Sequence, residues 1–344
     1  MRFVFCCVLA LLCASAVTAA TPKKTVARKS PAKVVAKAKA SAAVDGPVQT
    51  AYRRSPYVGA ISADAQGNVL FEDSADREAY PASVTKLMTL LLVLEDVKAG
   101  KYRLDDLATA TADVYRSEPS WIGIKVDEKM SVRSLCTALM VESANDAAIM
   151  LGVHSAGSFD AFVARMNARA AELGMKRTRY YNPNGLPPNA AKRYPWKSFN
   201  TTTARDQLKL ALALLKHPET LAFTSVKTCD LIKTADGFRT AVTRQVNKPL
   251  AEAQLGAGEK LVKQLRNHNN VMVKDKQKIF NPDGKEAVDG LKTGYIDAGG
   301  SSIVMTGSRK GKRVIVVVLG SASAKERDQH AGRMMEDALG SVAW

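Results

Sequence analysis

The chain has 344 residues, 46% of them apolar and 24% charged, with a net charge of +17. That composition excludes a chain disordered throughout and leaves room for one large domain or two modest ones. The positive charge suits an anionic surface such as a cell envelope or nucleic acid, or solubility with a basic tail. Lys and Arg are spread without an aromatic-basic module, so no nucleic-acid partner is expected.

Residues 1–20 read as a secretory leader. Arg2 is the charged start, Phe3 to Leu12 the apolar core, and Thr18-Ala19-Ala20 offers small residues for cleavage. The apolar run is short for a membrane span, and no later stretch reads as one. Cys13 follows Leu12, too large for a lipoprotein cleavage site, so no lipid anchor is expected. The expectation is an exported protein of the periplasm or cell envelope, with no transmembrane segment after leader removal. Residues 21–50, rich in Lys, Ala, Pro, Val and Thr, are expected to form a disordered tether, and 51–344 the folded domain. Three of the five Cys (Cys6, Cys7, Cys13) belong to the leader. Cys136 and Cys229 lie in apolar-leaning segments and are read as buried free thiols ahead of a disulfide. His154, His217, His268 and His330 have no spacing suited to zinc, so neither a metal nor another cofactor is expected.

Tyr57 to Ala63 alternates as a strand, Gln66-Gly67-Asn68 is a turn, and Val69-Leu70-Phe71 a returning strand. A helix is expected to start near Pro81, whose missing N–H suits a first turn. From Leu87 to Leu94 it is apolar on nearly every face, which places it in the middle of a protein. Ser131 opens another helix to about Val141. Ser143-Ala144-Asn145 breaks it, and Asp146 to Gly152 resumes it, with Asp146 read as a helix-start acid. Phe159, Phe162, Met166, Ala170 and Leu173 mark an amphipathic helix stopped by Gly174. Asn182-Pro183-Asn184-Gly185 is a loop. Thr203 with Asp206 starts a helix that runs through Leu215 and ends before Pro218. Val288 to Tyr295, Ser301 to Gly307 and Arg313 to Leu319 read as strands, the last two joined by the turn Ser308 to Lys312. A helix from about Lys325 to Leu339 follows. Strands, many helices, then strands and a helix fit an α+β fold: one antiparallel sheet built from both ends of the chain, with a helical region inserted.

The chemistry concentrates in the helix that starts near Pro81. Ser83 and Lys86 are three apart, hence on one helical face, one turn from each other. Ser83 lies at the positive end of the helix dipole, and Lys86 is within reach to take its proton. Two further short motifs follow in order, Ser143-Ala144-Asn145 and Lys292-Thr293-Gly294. Singly they are weak: Ser30-Pro31-Ala32-Lys33 also matches the first pattern and Ser198-Phe199-Asn200 the second. Order and context raise the set above chance.

In that order the three motifs resemble those of the penicillin-recognising serine enzymes. Their flanks resemble the D-alanyl-D-alanine carboxypeptidase family of penicillin-binding proteins: Pro81 to Thr89, Tyr181 to Leu186, Asn267 to Asn270 and Val288 to Tyr295. The resemblance covers roughly Tyr57 to Leu339. Asn189 to Asn200 and Asn247 to Gln264 look like insertions without an assignable role. The resemblance implies a β-lactamase/transpeptidase-like fold, a monomer, peptidoglycan stem peptide as substrate, and β-lactams as covalent inhibitors. It implies that Ser83 is the nucleophile and that Lys86, discharged by burial and by Lys292, is its base. Ser143 would relay a proton to the leaving amine, and Asn145 would bind the substrate backbone. Lys292 and Thr293 would meet the peptide's C-terminal carboxylate. Gly294 would let substrate lie along the strand, and the N–H groups of Ser83 and Tyr295 would form the oxyanion hole. Carboxypeptidase action leads; a D,D-endopeptidase is the alternative. A serine β-lactamase ranks lower because Tyr180 to Asn200 contains no Glu or Asp to activate a deacylating water. A non-catalytic wall-binding protein ranks lower because Ser83, Lys86 and Ser143 are all present.

Overall fold

A computed structural model describes residues 56–114, 119–188, 198–243 and 248–342, all within one compact unit. The expected leader and tether, and positions 189–197 of the first expected insertion, lie outside the described residues.

The chain opens with β1 (Gly59–Asp64) and β2 (Val69–Asp73). A 3-10 turn (Ala82–Thr85) then leads into α1 (Lys86–Lys98). There follow β3 (Leu107–Thr109), β4 (Lys129–Ser131), α2 (Val132–Val141), α3 (Asn145–Ala156), α4 (Phe159–Glu172), α5 (Ala204–Leu214) and α6 (Thr220–Thr224). Next come β5 (Thr228–Lys233), β6 (Phe238–Thr243), β7 (Lys260–Arg266) and α7 (Asn270–Val273). The last elements are β8 (Val288–Ile296), β9 (Gly300–Arg309), β10 (Lys312–Ser321) and α8 (Ala324–Val342).

The expected sheet from both chain ends is present: five antiparallel strands in the order β2-β1-β10-β9-β8. β10 lies at its centre, and its unbroken apolar run has a simple cause. Successive side chains point to opposite faces, and both faces are covered. Ile315, Val317 and Leu319 join the larger core, with Ile61, Ala63 and every residue from Leu87 to Leu94 of α1 except Thr89. Val314, Val316 and Val318 face the other way, onto Ala331, Met335, Ala338 and Leu339 of α8. Each such side chain contributes about 1.5–3 kcal/mol on burial. The strand at one edge, β8, faces the 3-10 turn, and that meeting creates the cleft described below.

The helices follow their caps. The hydroxyl of Ser131 accepts from the N–H of Ser134, that of Ser158 from Ala161, and that of Thr203 from Asp206. Cys136 and Cys229 are buried and unpaired thiols. Among the described residues no single helix is long and apolar enough to cross a membrane.

Three features differ from expectation. The helix after Pro81 begins only at Lys86, and Ser83 lies in the preceding 3-10 turn. The turn between β9 and β10 is only Lys310-Gly311, both with positive φ (49° and 77°), since Arg309 pairs with Lys312. That is the left-handed pair a two-residue hairpin requires, so the charged residues beside it stay in the ladder. A second sheet, β6-β5-β7, and the pair β3-β4 were not anticipated. The second expected insertion supplies part of β7, which pairs along β5.

Candidate active site

The 3-10 turn explains how Ser83 and Lys86 meet. At three residues per turn, side chains three apart are eclipsed. The Lys86 Nζ accordingly lies 2.8 Å from Ser83 Oγ. Two other oxygens hold the same amine: Asn145 Oδ1 at 2.7 Å and the Asn184 carbonyl at 2.8 Å. Lys86 is fully buried, whereas Ser83 is half-buried. Burial first, and then the charge of Lys292, lowers the Lys86 amine well below its ordinary range; Asp146 opposes this. A neutral amine has two N–H bonds and one lone pair. The oxygens of Asn145 and Asn184 can only accept, so they take both hydrogens and leave the lone pair for the Ser83 hydroxyl.

Asparagines brace this side. The Asn182 carboxamide oxygen accepts from the Gly185 N–H, and its nitrogen donates to the Leu186 carbonyl. Asn200 donates to Thr85 Oγ1 and to the Asn182 carbonyl, and accepts from the Tyr181 N–H. Thr89 Oγ1 donates to the Pro183 carbonyl. Gly185 has φ +84°, and a Cβ there would strike the Ala82 carbonyl, so the loop touches the 3-10 turn only as glycine. The motif reading set Asn200 aside as a chance match and gave Asn184 no role. Only the folded loop shows that a backbone carbonyl completes the cradle of Lys86, and no side-chain pattern encodes that.

Ser143 links α2 to α3 with φ +62° and is buried. Its Oγ has no hydrogen-bond partner among the described residues. Asn145 opens α3, and its N–H donates to the Ser120 carbonyl at 2.8 Å.

Opposite stands β8. Lys292 and Thr293 are buried, and Lys292 Nζ donates to the Thr293 carbonyl at 3.0 Å. Burial, then Arg327, pushes the Lys292 amine down to about 7. Arg327 is itself buried beside Asp328 on α8 and was not singled out from sequence. Tyr295 is 61% exposed, and its hydroxyl donates to Asp297. Gly294 carries a reason beyond the one expected. A Cβ there would lie 2.5 Å from the Pro81 carbonyl and 3.0 Å from the Ser83 nitrogen, so β8 abuts the nucleophile turn itself. All three motifs therefore reach one cleft: Ser83 and Lys86 on its floor, and Lys292 to Tyr295 along an edge strand. Asn145 contacts Lys86 directly, with Ser143 two residues before it.

The Peptidase S11 family, D-alanyl-D-alanine carboxypeptidase, matches residues 58–323. The chain is similar to the D-alanyl-D-alanine carboxypeptidase DacF of Bacillus subtilis, 27% identical over 79% of this chain. It spans 59% of that relative's length. Among solved structures it is similar to the D-alanyl-D-alanine carboxypeptidase DacD from Francisella tularensis, with TM-score 0.69 and 27% identity over 87% of this chain and 74% of that one. It is also similar to penicillin-binding protein D2 from Listeria monocytogenes in its ampicillin-bound form, with TM-score 0.62 and 28% identity over 83% of this chain and 98% of that one. The family match runs from the residue before β1 to the residue before α8 and takes in every motif that meets at the cleft. On those grounds the chain belongs to the D-alanyl-D-alanine carboxypeptidase family, Peptidase S11.

Proposed function

We propose that this protein is a serine-type D-Ala-D-Ala carboxypeptidase that removes the terminal D-alanine of peptidoglycan stem peptides. The observation that carries the reading is the Lys86 amine, buried and held by three oxygens, Ser83 Oγ among them at 2.8 Å, with burial lowering it well below its ordinary range. Ser83 Oγ attacks the carbonyl carbon between the two D-alanines while its proton passes to Lys86. The N–H groups of Ser83 and Tyr295 hold the oxyanion. The C–N bond then breaks, a proton reaches the leaving amine through Ser143, and D-alanine departs from a Ser83 ester. Water cleaves that ester and restores the hydroxyl.

On the binding side, Asn145 meets the peptide backbone, and Lys292 with Thr293 grips the terminal carboxylate. An incoming carboxylate favours the charged form of Lys292, so binding restores the charge that burial removed. A peptide lying along the β8 edge would add to the sheet, its chain direction fixed by Lys292 at the carboxyl end. β-Lactams would acylate the same serine. The leader-like residues 1–20 place the enzyme in the periplasm or cell envelope, with the basic residues 21–50 as a tether, and the chain acts as a monomer.

Incubation with labelled penicillin followed by mass mapping tests the site: the label is expected on the peptide containing Ser83 and to persist. Muropeptide analysis tests the reaction: release of alanine from monomeric stems is expected. Conversion of dimers to monomers without that release would make the enzyme an endopeptidase, and rapid penicillin turnover a β-lactamase.

A further inference from the structure

Asp146 stands next to Asn145 at the start of α3 and is fully buried. An acid at a helix start ordinarily serves its own first turn. This one does that once, its Oδ1 accepting from the Ala147 N–H at 2.9 Å. Its other contacts reach a distant loop. Oδ2 accepts from the successive N–H groups of Ile122, Gly123 and Ile124 at 3.1, 2.9 and 3.1 Å, and Oδ1 from Ile122 at 3.2 Å. The same loop returns a bond to the neighbouring residue: the Ser120 carbonyl accepts the Asn145 N–H. Residues 145 and 146 thus grip the 120–124 loop together, one by backbone and one by side chain. Asn145 in turn holds Lys86 through its Oδ1.

We propose that Asp146 is a positioning residue for the acyl transfer: its carboxyl group fastens the 120–124 loop to the α3 start and so fixes Asn145, whose Oδ1 holds Lys86. The proposal rests on the reading of Ser83 and Lys86 as nucleophile and base. The charge matters because of what else faces that amine. Lys292 of β8 disfavours its protonated form and Asp146 of α3 favours it, while Ser83, Asn145 and Asn184 are uncharged. Arg327 of α8 acts on Lys292. His268, before α7, is pushed down to about 4, first by burial, so it is neutral near pH 7. Burial raises the Asp146 carboxyl itself, and the N–H groups of Ile124, Gly123, Ile122 and Ala147 pull it back down; where ionised, it is the counterweight to Lys292. It keeps the base strong enough to take the serine proton, at the expense of holding it protonated at acid pH.

D146N separates the two effects. A carboxamide keeps one acceptor oxygen for the Ile122–Ile124 donors and loses the charge, at the expense of the Oδ1 bond from the Ala147 N–H; D146A loses the charge and every acceptor. The measurement is the rate of Ser83 acylation by labelled penicillin against pH, with thermal melting alongside. For D146N the acidic limb is expected to move to lower pH, because removing a negative neighbour makes Lys86 easier to discharge. D146A is expected to show the same movement and a plateau lower by about tenfold, as for loss of a correctly held group. Should D146N not fold, D146E keeps the charge but displaces the loop: its limb should stay at the wild-type pH while its plateau falls. A D146N profile superimposable on wild type overturns the proposal. So does D146A activity reduced only by its unfolded fraction with the limb unmoved, or a D146E plateau equal to wild type. Wild-type protein that takes up no label overturns the reading of the site itself, and the proposal with it.

Discussion

The two walls of the cleft are built differently. On the nucleophile side, the 3-10 turn, the 182–186 loop, Asn145 and Asn200 are tied to one another and to Lys86 by short bonds. On the strand side, Lys292 donates to the carbonyl of its own neighbour, and Tyr295 stands 61% exposed. The first wall is preorganised: its groups need not move for proton transfer, which is where electrostatic catalysis is most effective. The second is arranged for a ligand to complete, since a discharged buried lysine gains most when a carboxylate arrives. On the proposed function, alignment of the reacting atoms belongs to one wall and recognition to the other.

That division can be broken most severely at its centre. Ser83→Ala should abolish acylation and lower D-alanine release by roughly three orders of magnitude or more, with the melting temperature near wild type. Persistence of D-alanine release would remove the nucleophile wall from the chemistry. Lys86→Met keeps an unbranched side chain, shorter only by the terminal atom, and removes the base. It should lower kcat by about 10²–10⁴-fold while KM stays within a few-fold, the pattern of a group acting in the transition state. Lys292→Met should do the reverse, raising KM about tenfold or more for a substrate ending in carboxylate and far less for one ending in amide. Equal losses on both substrates would show that the strand wall does not read the carboxylate.

The same substitution has a stability signature. The Lys292 amine is pushed to about 7 in the folded protein, against 10.5 for the ordinary side chain. Between those values the unfolded chain holds a proton that the native one has released, so this group makes the wild type more stable as pH rises. Lys292→Met should therefore melt higher than wild type near pH 7, and the gap should narrow towards pH 10.5. A gap independent of pH would mean that Lys292 is not discharged by folding. The smallest effect is expected at Asn200→Ala, which unties the 182–186 loop and leaves buried partners unsatisfied. It should lower the unfolding free energy by about 1–3 kcal/mol in a denaturant titration. Wild-type stability would show that the asparagine brace is not needed to hold the turn.

The apolar scaffold was legible because its signals are periodic. β10 reads as a continuous apolar run since both of its faces are covered, and Leu87 to Leu94 as a central helix for the same reason. The β6-β5-β7 sheet escaped because Asp230 interrupts the pattern of β5, while β6 is half-covered, β7 largely exposed, and the two carry Arg239, Lys260, Lys263 and Arg266. At the site, three motifs with ordered spacing drew Ser83, Lys86, Asn145 and Lys292 together, and the structure brings those residues to one cleft. Asn184, Asn200 and Arg327 were not legible. Asn184 acts through a main-chain oxygen, Asn200 through a loop that folds back on residue 85, and Arg327 from a helix late in the chain. None of these has a local spacing to betray it.

The pairing of β1 with β10 also governs when the catalyst can first exist. Gly59 aligns with Leu319, so the first strand of the sheet waits for a partner translated far later. Closing so long a loop is slow, and it precedes the contacts that reward it. A nascent chain emerging from the ribosome would carry its serine and its lysine with no platform to align them and no cationic edge opposite. On the proposed function it is inert until β8, β9 and β10 arrive, which builds a delay between synthesis and the first turnover into the fold.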